Sequence, residues 1–105
     1  MNKKIKTEAV DYLFDAILCL KSREECYNFF EDLCTVQELK TLSQRIVVAK
    51  MLSEKCVYTD IVEQTGASTA TISRVNRSLS YDGSGGYNIV FDKFKKMEEE
   101  KETEE

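Results

Sequence analysis

Residues 58–79, YTDIVEQTGASTATISRVNRSL, decide the fold, because they predict two short helices joined by a glycine turn. The first helix would span residues 59–65, and Gly66 stands where the chain must reverse through a left-handed conformation that favours glycine. Ser68 is a suitable N-cap for the second helix, since its hydroxyl can accept from an unpaired backbone N–H. The apolar residues at helical spacing that follow define the buried face, and they are Ile72, Val75 and Leu79.

The opposite face of this second helix is small, polar and basic. A DNA major groove admits a slim helix, and base edges offer acceptors for arginine and a thymine methyl for alanine or threonine. The pattern therefore predicts a DNA-binding surface formed by Ser68, Thr69, Ala70, Thr71, Ser73, Arg74 and Arg77. The alternative interpretation is an ordinary pair of packed helices around a glycine turn, because isoleucine, valine and leucine at this spacing occur in any helical domain.

The composition favours a single helical domain. A chain of 105 residues with no proline, four glycines and 32% charged residues is unlike a turn-rich sheet protein. We expect an all-α domain over residues 1–97, with the helix-turn-helix at 58–79 and an acidic tail at 98–105. The four cysteines lack a CxxC pair and the chain has no histidine, so we expect no metal site and reduced thiols in the core.

The charge is concentrated at the C-terminus. Residues 98–105 carry six glutamates and one lysine, so subtracting their −5 from the net −4 leaves +1 for the rest of the chain. DNA recognition requires local cations, whereas net charge governs solubility and steering, so this balance permits DNA binding. An acidic tail is typical of a solvated chain end, and the alternative is a role in suppressing loose DNA binding.

The N-terminal segment predicts a helix over residues 5–20. Its apolar residues cover more than one stripe, so both sides need cover, and we expect a homodimer formed through these helices. The alternative is burial within a monomer. Acidic residues at 8, 11 and 15 interrupt any signal-peptide core, and no apolar run spans a bilayer, so we expect a cytoplasmic protein with no membrane partner.

Two capping boxes and a glycine-rich segment divide the rest of the chain. Ser22 to Glu25 and Thr35 to Glu38 predict the starts of the second and third helices. The third helix would carry the core on its periodic apolar residues, which are Leu39, Leu42, Ile46, Ala49 and Leu52. Residues 81–86, YDGSGG, lack the strand and lysine of a phosphate-binding loop and predict a flexible turn before a last helix over residues 88–97.

The chain resembles the Trp repressor superfamily, and more closely its YerC/YecD branch of small TrpR-related proteins. Two segments carry the resemblance: CTVQELKTLSQRIVVAKML is similar to the long core helix, and GASTATISRVNRSL is similar to the recognition helix. The resemblance implies an all-α, intertwined homodimer that presents two reading helices to a palindromic double-stranded operator. The DNA-facing positions of the family fall on Thr69, Ala70, Thr71 and Ser73, and the helical wheel adds Arg77.

The resemblance also implies a candidate effector pocket at Thr35, Arg45, Arg74 and Ser78. However, Val75 stands where the Trp repressor has a glycine beside the second arginine, and overfilling a packed site costs about 1–3 kcal/mol. The basic positions of the family's first reading helix are replaced by Thr59 and Val62, so fewer phosphate contacts are expected. Because Val75 fills the position of that glycine, we expect a small-molecule corepressor, if one binds, to be other than tryptophan.

Three functional interpretations compete. The leading one is a sequence-specific transcription regulator, acting as a repressor that occupies a promoter. The second is a protein-interaction adaptor that keeps the helix-turn-helix shape without binding DNA, which the acidic balance and the carboxylates Asp60 and Glu63 favour. An enzyme is the weakest, because the chain has no histidine and no catalytic residue set with an interpretable spacing.

Overall fold

The structure of this protein, a computed structural model, describes residues 3–80 and 83–104. These residues form six α-helices and no strand, so the all-α prediction is confirmed. A short 3₁₀ turn at Lys3–Ile5 precedes the helices α1 (Glu8–Leu18), α2 (Arg23–Leu33), α3 (Val36–Ser53), α4 (Tyr58–Thr65), α5 (Thr69–Ser80) and α6 (Gly86–Glu104). The chain divides into two compact units, one ending at Lys40 and the second beginning at Thr41.

The predicted N-caps Ser22 and Thr35 are present, but only the capping box of Thr35 and Glu38 is complete. The Thr35 hydroxyl accepts from the Glu38 N–H at 3.0 Å, and the Glu38 carboxylate accepts from the Thr35 N–H at 2.9 Å. At α2 the Ser22 hydroxyl accepts from the Glu25 N–H, but the Glu25 carboxylate accepts from the N–H of Lys21. These short-range bonds satisfy donors that a helix start leaves unpaired, which is why both helices begin there.

The first helix is shorter than predicted. Thr7 caps α1, its hydroxyl accepting from the Val10 N–H at 3.1 Å, so residues 5–7 do not continue the helix. No residue of α1 or of α2 is buried. The unit that ends at Lys40 therefore carries an exposed apolar surface, with Tyr12 78% and Leu18 80% exposed.

The core lies in the second unit, where α3, α4 and α5 supply its side chains. Val48, Ile61 and Ile72 are fully buried, and burying such a side chain stabilises the fold by about 1.5–3 kcal/mol. The remaining buried residues are Ala49, Met51, Ala67 and Val75, and Leu52, Cys56, Leu79, Tyr87 and Phe91 pack against them. Tyr87 and Phe91 place α6 against this core, and their rings stack within that helix with centroids 6.3 Å apart.

The predicted buried face of α3 is only partly correct. Leu42 and Ile46 are 47% and 37% exposed, whereas Val48 and Met51 are buried. Apolar residues occur around most of α3, so their spacing could not select the buried side. Ile46 and Val47 instead line a groove that Phe91 and Phe94 of α6 complete.

The end of α3 shows why α4 follows so closely. Lys55 adopts a left-handed conformation with φ 66°, the Cys56 N–H donates to the Met51 carbonyl, and the Lys55 N–H donates to that of Leu52. This is a Schellman arrangement, in which an αL residue satisfies the last carbonyls of a helix. The short connection leads directly into α4.

The C-terminal predictions need correction. The last helix, α6, begins at Gly86 and continues to Glu104 instead of ending near residue 97, so the acidic segment is helical as far as it is described. Residues 81 and 82 of the predicted flexible turn lie outside the described residues, and Gly85 adopts a left-handed conformation with φ 81°. The cysteines are free thiols, but only Cys56 packs against the core, while Cys19 is exposed and Cys26 and Cys34 are half-buried in the first unit, so the prediction of core thiols is wrong for these three.

Candidate nucleic-acid interface

The turn between α4 and α5 has the predicted geometry. Gly66 has φ 72°, and its N–H donates to the Val62 carbonyl at 2.9 Å, closing the end of α4. Ile61 before the turn and Ala67 after it are both buried, so apolar packing anchors the turn on each side. Together, α4, the turn and α5 form a helix-turn-helix.

The helix α5 is amphipathic in the predicted sense. Ile72 and Val75 face the core at 0% and 2% exposure, while Leu79 packs at its edge. The exposed residues at the start of α5 and on its outer side are Ser68, Thr69, Ala70, Ser73, Arg74 and Arg77, and Thr71 is half-buried. No acidic residue occurs between positions 66 and 80, so two arginines set the charge of this surface.

Ser68 and Thr71 are joined at the start of α5. The Ser68 hydroxyl accepts from the Thr71 N–H at 3.1 Å, and the hydroxyls of the two residues lie 3.1 Å apart in a hydrogen bond. Ser68 is therefore the N-cap that the sequence predicts, and the pair fixes the first turn of α5. Thr69 and Ala70 stand exposed beside this cap.

A shallow depression on the outer side of α5 gathers part of the candidate effector pocket. Its lining consists of Ala70, Ser73, Arg74, Arg77 and Ser78. Arg45 is half-buried on α3 and does not line it. Thr35 is exposed and caps α3 through its hydroxyl. Of the four predicted pocket residues, only Arg74 and Ser78 thus share the depression.

Gln44 belongs to the surroundings of the turn, although no motif indicates it. Its side-chain amide nitrogen donates to the Thr65 carbonyl at 3.2 Å, across 21 residues of sequence. No sequence signal could have found it, because the apolar spacing of α3 does not select the buried side on which Gln44 lies.

Comparisons with known proteins match this geometry. The sequence model of the Trp repressor protein family matches residues 8–103. The chain belongs to the Trp repressor protein family. This membership supports a DNA-binding regulator at the level of the family.

Individual relatives align over most of this chain. The uncharacterised protein YerC of Bacillus subtilis (strain 168) is 50% identical over 97 residues, covering 92% of each chain. A TrpR-like protein from Eubacterium eligens ATCC 27750, whose crystal structure is known, is 61% identical in sequence. The match has a TM-score of 0.85 and covers 89% of this chain and 95% of that chain. The crystal structure of a proposed Trp repressor from Staphylococcus aureus also matches, with 53% sequence identity and a TM-score of 0.84. The match covers 89% of this chain and 92% of that chain.

Within residues 3–80 and 83–104, no group of three His, Cys, Asp or Glu side chains is arranged to hold a metal ion. Of the helices described, none has the length and apolar character needed to cross a membrane.

Proposed function

We propose that this protein is a sequence-specific transcription regulator, acting as a repressor, that inserts α5 into the DNA major groove. The observation that carries the proposal is the exposed face of α5, on which Ala70 and Ser73 leave the helix slim and Arg74 and Arg77 supply charge. The opposite face is held by Ile72 and Val75 in the core, so the helix has a firm base.

The groups on this face suit base edges. Arginine can pair with the O6 and N7 acceptors of guanine, and the methyl groups of alanine and threonine can contact the thymine methyl. By contrast, α4 carries Asp60 and Glu63 and no cation, which limits the phosphate contacts it can make. We therefore expect modest affinity with a strong dependence on salt.

A homodimer on a palindromic operator completes the proposal. The exposed apolar residues of α1 need cover, and so do Phe94 and Met97 of α6, which are 53% and 54% exposed. A second copy would supply that cover and a second α5. Reading helices in such a dimer contact half-sites about 34 Å apart, one turn of DNA.

The proposed regulator does not use free tryptophan as its effector. The support is Val75, which stands at the glycine position of the Trp repressor and fills core space at 2% exposure. Arg45 does not line the depression beside Arg74, so the two arginines do not form one pocket wall there. Isothermal titration calorimetry should detect no binding at micromolar tryptophan, and heat of binding in that range would contradict this part of the proposal.

Selection from a random double-stranded DNA pool at low salt tests the proposed function. An enriched motif with two half-sites in inverted orientation is the expected result. A pool without an enriched motif would instead favour the adaptor, whose supporting feature is the acidic and apolar outer side of α4, where Tyr58 and Val62 are 36% and 37% exposed.

The arginine variants locate the interface. Arg74→Ala and Arg77→Ala should each weaken binding to the selected DNA by about 1–3 kcal/mol, because each removes a base or phosphate contact. Gel shifts measure this, with far-UV circular dichroism showing that the fold is retained. Arg23→Ala, at the start of α2, is the matched control and should bind like the wild type. Unchanged binding in both α5 variants would remove this face from the interface.

A further inference from the structure

A side-chain hydrogen bond from Gln44 joins the helix-turn-helix to α3. The Gln44 Nε2 donates to the backbone carbonyl of Thr65 at 3.2 Å, and the bond is partly buried. A carbonyl oxygen can only accept, so the amide nitrogen of Gln44, rather than its oxygen, must face the turn.

The other polar groups around this carbonyl have local partners. The Thr65 hydroxyl donates to the Ile61 carbonyl at 2.6 Å and accepts from the Ala67 N–H at 3.1 Å. The Gly66 N–H pairs with the Val62 carbonyl. The Thr65 carbonyl is one of the last four of α4, which have no partner within the helix. Gln44 satisfies it from a different helix.

Gln44 lies on the same side of α3 as the buried residues Val48 and Met51. Val48 and Met51 follow at spacings of four and three residues and are buried in the core. Gln44 thus ends the inner stripe of α3 with a polar group, where an apolar side chain would leave the carbonyl without this donor. Apolar packing of Val48, Ile61 and Ala67 holds the helices together, but it is non-directional.

We infer that Gln44 is a positioning residue that fixes the turn between α4 and α5 onto α3, and thereby sets the angle at which α5 meets DNA. The effect on DNA rests on the proposed function, whereas the effect on the turn does not. Because a geometric error at a reading helix weakens contacts to base edges more than contacts to phosphates, Gln44 should act on specific binding in particular.

The test compares Gln44→Met, which keeps the length and helix propensity but has no donor, with Gln44→Lys, which keeps an N–H donor. Gln37→Leu, at an exposed position earlier in α3, is the control for losing a glutamine from this helix. Hydrogen exchange at the amides of residues 66–69 reports on the turn. Fluorescence anisotropy with the selected DNA and with a scrambled duplex gives the ratio of specific to non-specific affinity.

For Gln44→Met we expect exchange at residues 66–69 to rise about fivefold, the consequence of losing one net hydrogen bond. The specificity ratio should fall by about fivefold to tenfold, because base contacts are each worth that much or more. Gln44→Lys and Gln37→Leu should stay within about twofold of the wild type in both measurements.

Unchanged exchange and unchanged specificity in Gln44→Met would overturn the inference. So would a Gln44→Lys protein as defective as Gln44→Met, because shape rather than donation would then explain both. If Gln44→Met does not fold, near wild-type exchange in Gln44→Lys supports the donor role and a raised exchange rejects it. If the wild type selects no DNA sequence, the proposed function fails, while the exchange measurements still decide whether Gln44 holds the turn.

Discussion

At the scale of single residues, Glu38 links the fold to pH. The N–H of Thr35, and secondly the Thr35 hydroxyl, hold the pKa of the Glu38 carboxyl below its ordinary value of 4.5. A carboxyl with a lowered folded pKa contributes stability above its unfolded pKa and loses it as the pH falls through the folded value.

Glu38→Gln should therefore cost stability at neutral pH and progressively less below pH 4.5, the ordinary value for this group. Urea midpoints across this range measure the difference between variant and wild type. Glu31→Gln removes the same charge from an exposed position on α2 and serves as the control. A difference that stays constant down to acid pH would contradict the role of the ionised carboxylate.

At the scale of the elements, the angle between α4 and α5 depends on the left-handed conformation of Gly66. A Cβ built at this position meets nothing within 4 Å, so any cost of Gly66→Ala comes from the backbone with φ 72°. We expect a loss of about 1–2 kcal/mol, the usual penalty for a side chain in this region. Chemical denaturation measures the loss, and Gly66→Asn should lose less because asparagine tolerates this conformation.

Gly86→Ala provides the matched control for Gly66→Ala. A Cβ there also meets open space, but Gly86 begins α6 without a left-handed φ. Alanine should be neutral or slightly stabilising, since it favours helix more than glycine by up to about 1 kcal/mol. Equal stability of Gly66→Ala and the wild type would show that the turn does not require glycine.

At the scale of the whole molecule, charge and exposed apolar surface decide how the protein associates. The glutamates that give residues 98–105 a charge of −5 lie largely on the helical end of α6, so the net charge of −4 says little about α5. The exposed apolar side chains of α1 are the observation that supports the proposed homodimer. Leu18, at 80% exposure, is the most accessible of them among the described large apolar residues.

The proposed homodimer makes a prediction about the mass of the protein in solution. Sedimentation equilibrium at micromolar concentration should give twice 12.1 kDa for the wild type. Leu18→Glu should shift the equilibrium toward the monomer, since placing a carboxylate in an apolar interface is costly. Asp15→Ala, an exposed polar position on the same helix, should leave the mass unchanged. A monomeric wild type would reject the homodimer.

The sequence alone determined the features that depend on neighbours within a few residues. The caps at Ser22, Thr35 and Ser68 and the turn at Gly66 follow from hydrogen bonds and backbone preferences that span three or four positions. The outward face of α5 could also be predicted from the sequence, because the apolar residues of this helix repeat at a regular helical spacing. The resemblance to the Trp repressor family rests on the same segments.

Only the tertiary structure decided which apolar residues of α3 are buried and what Gln44 does. Leu42 and Val48 have similar hydrophobicity, and one is exposed while the other is buried because the core packs on one side of α3. The bond from Gln44 to Thr65 joins residues 21 positions apart, and no local preference encodes such a distance. Both features result from packing between helices, which depends on the positions of several helices and not on the sequence of any one of them.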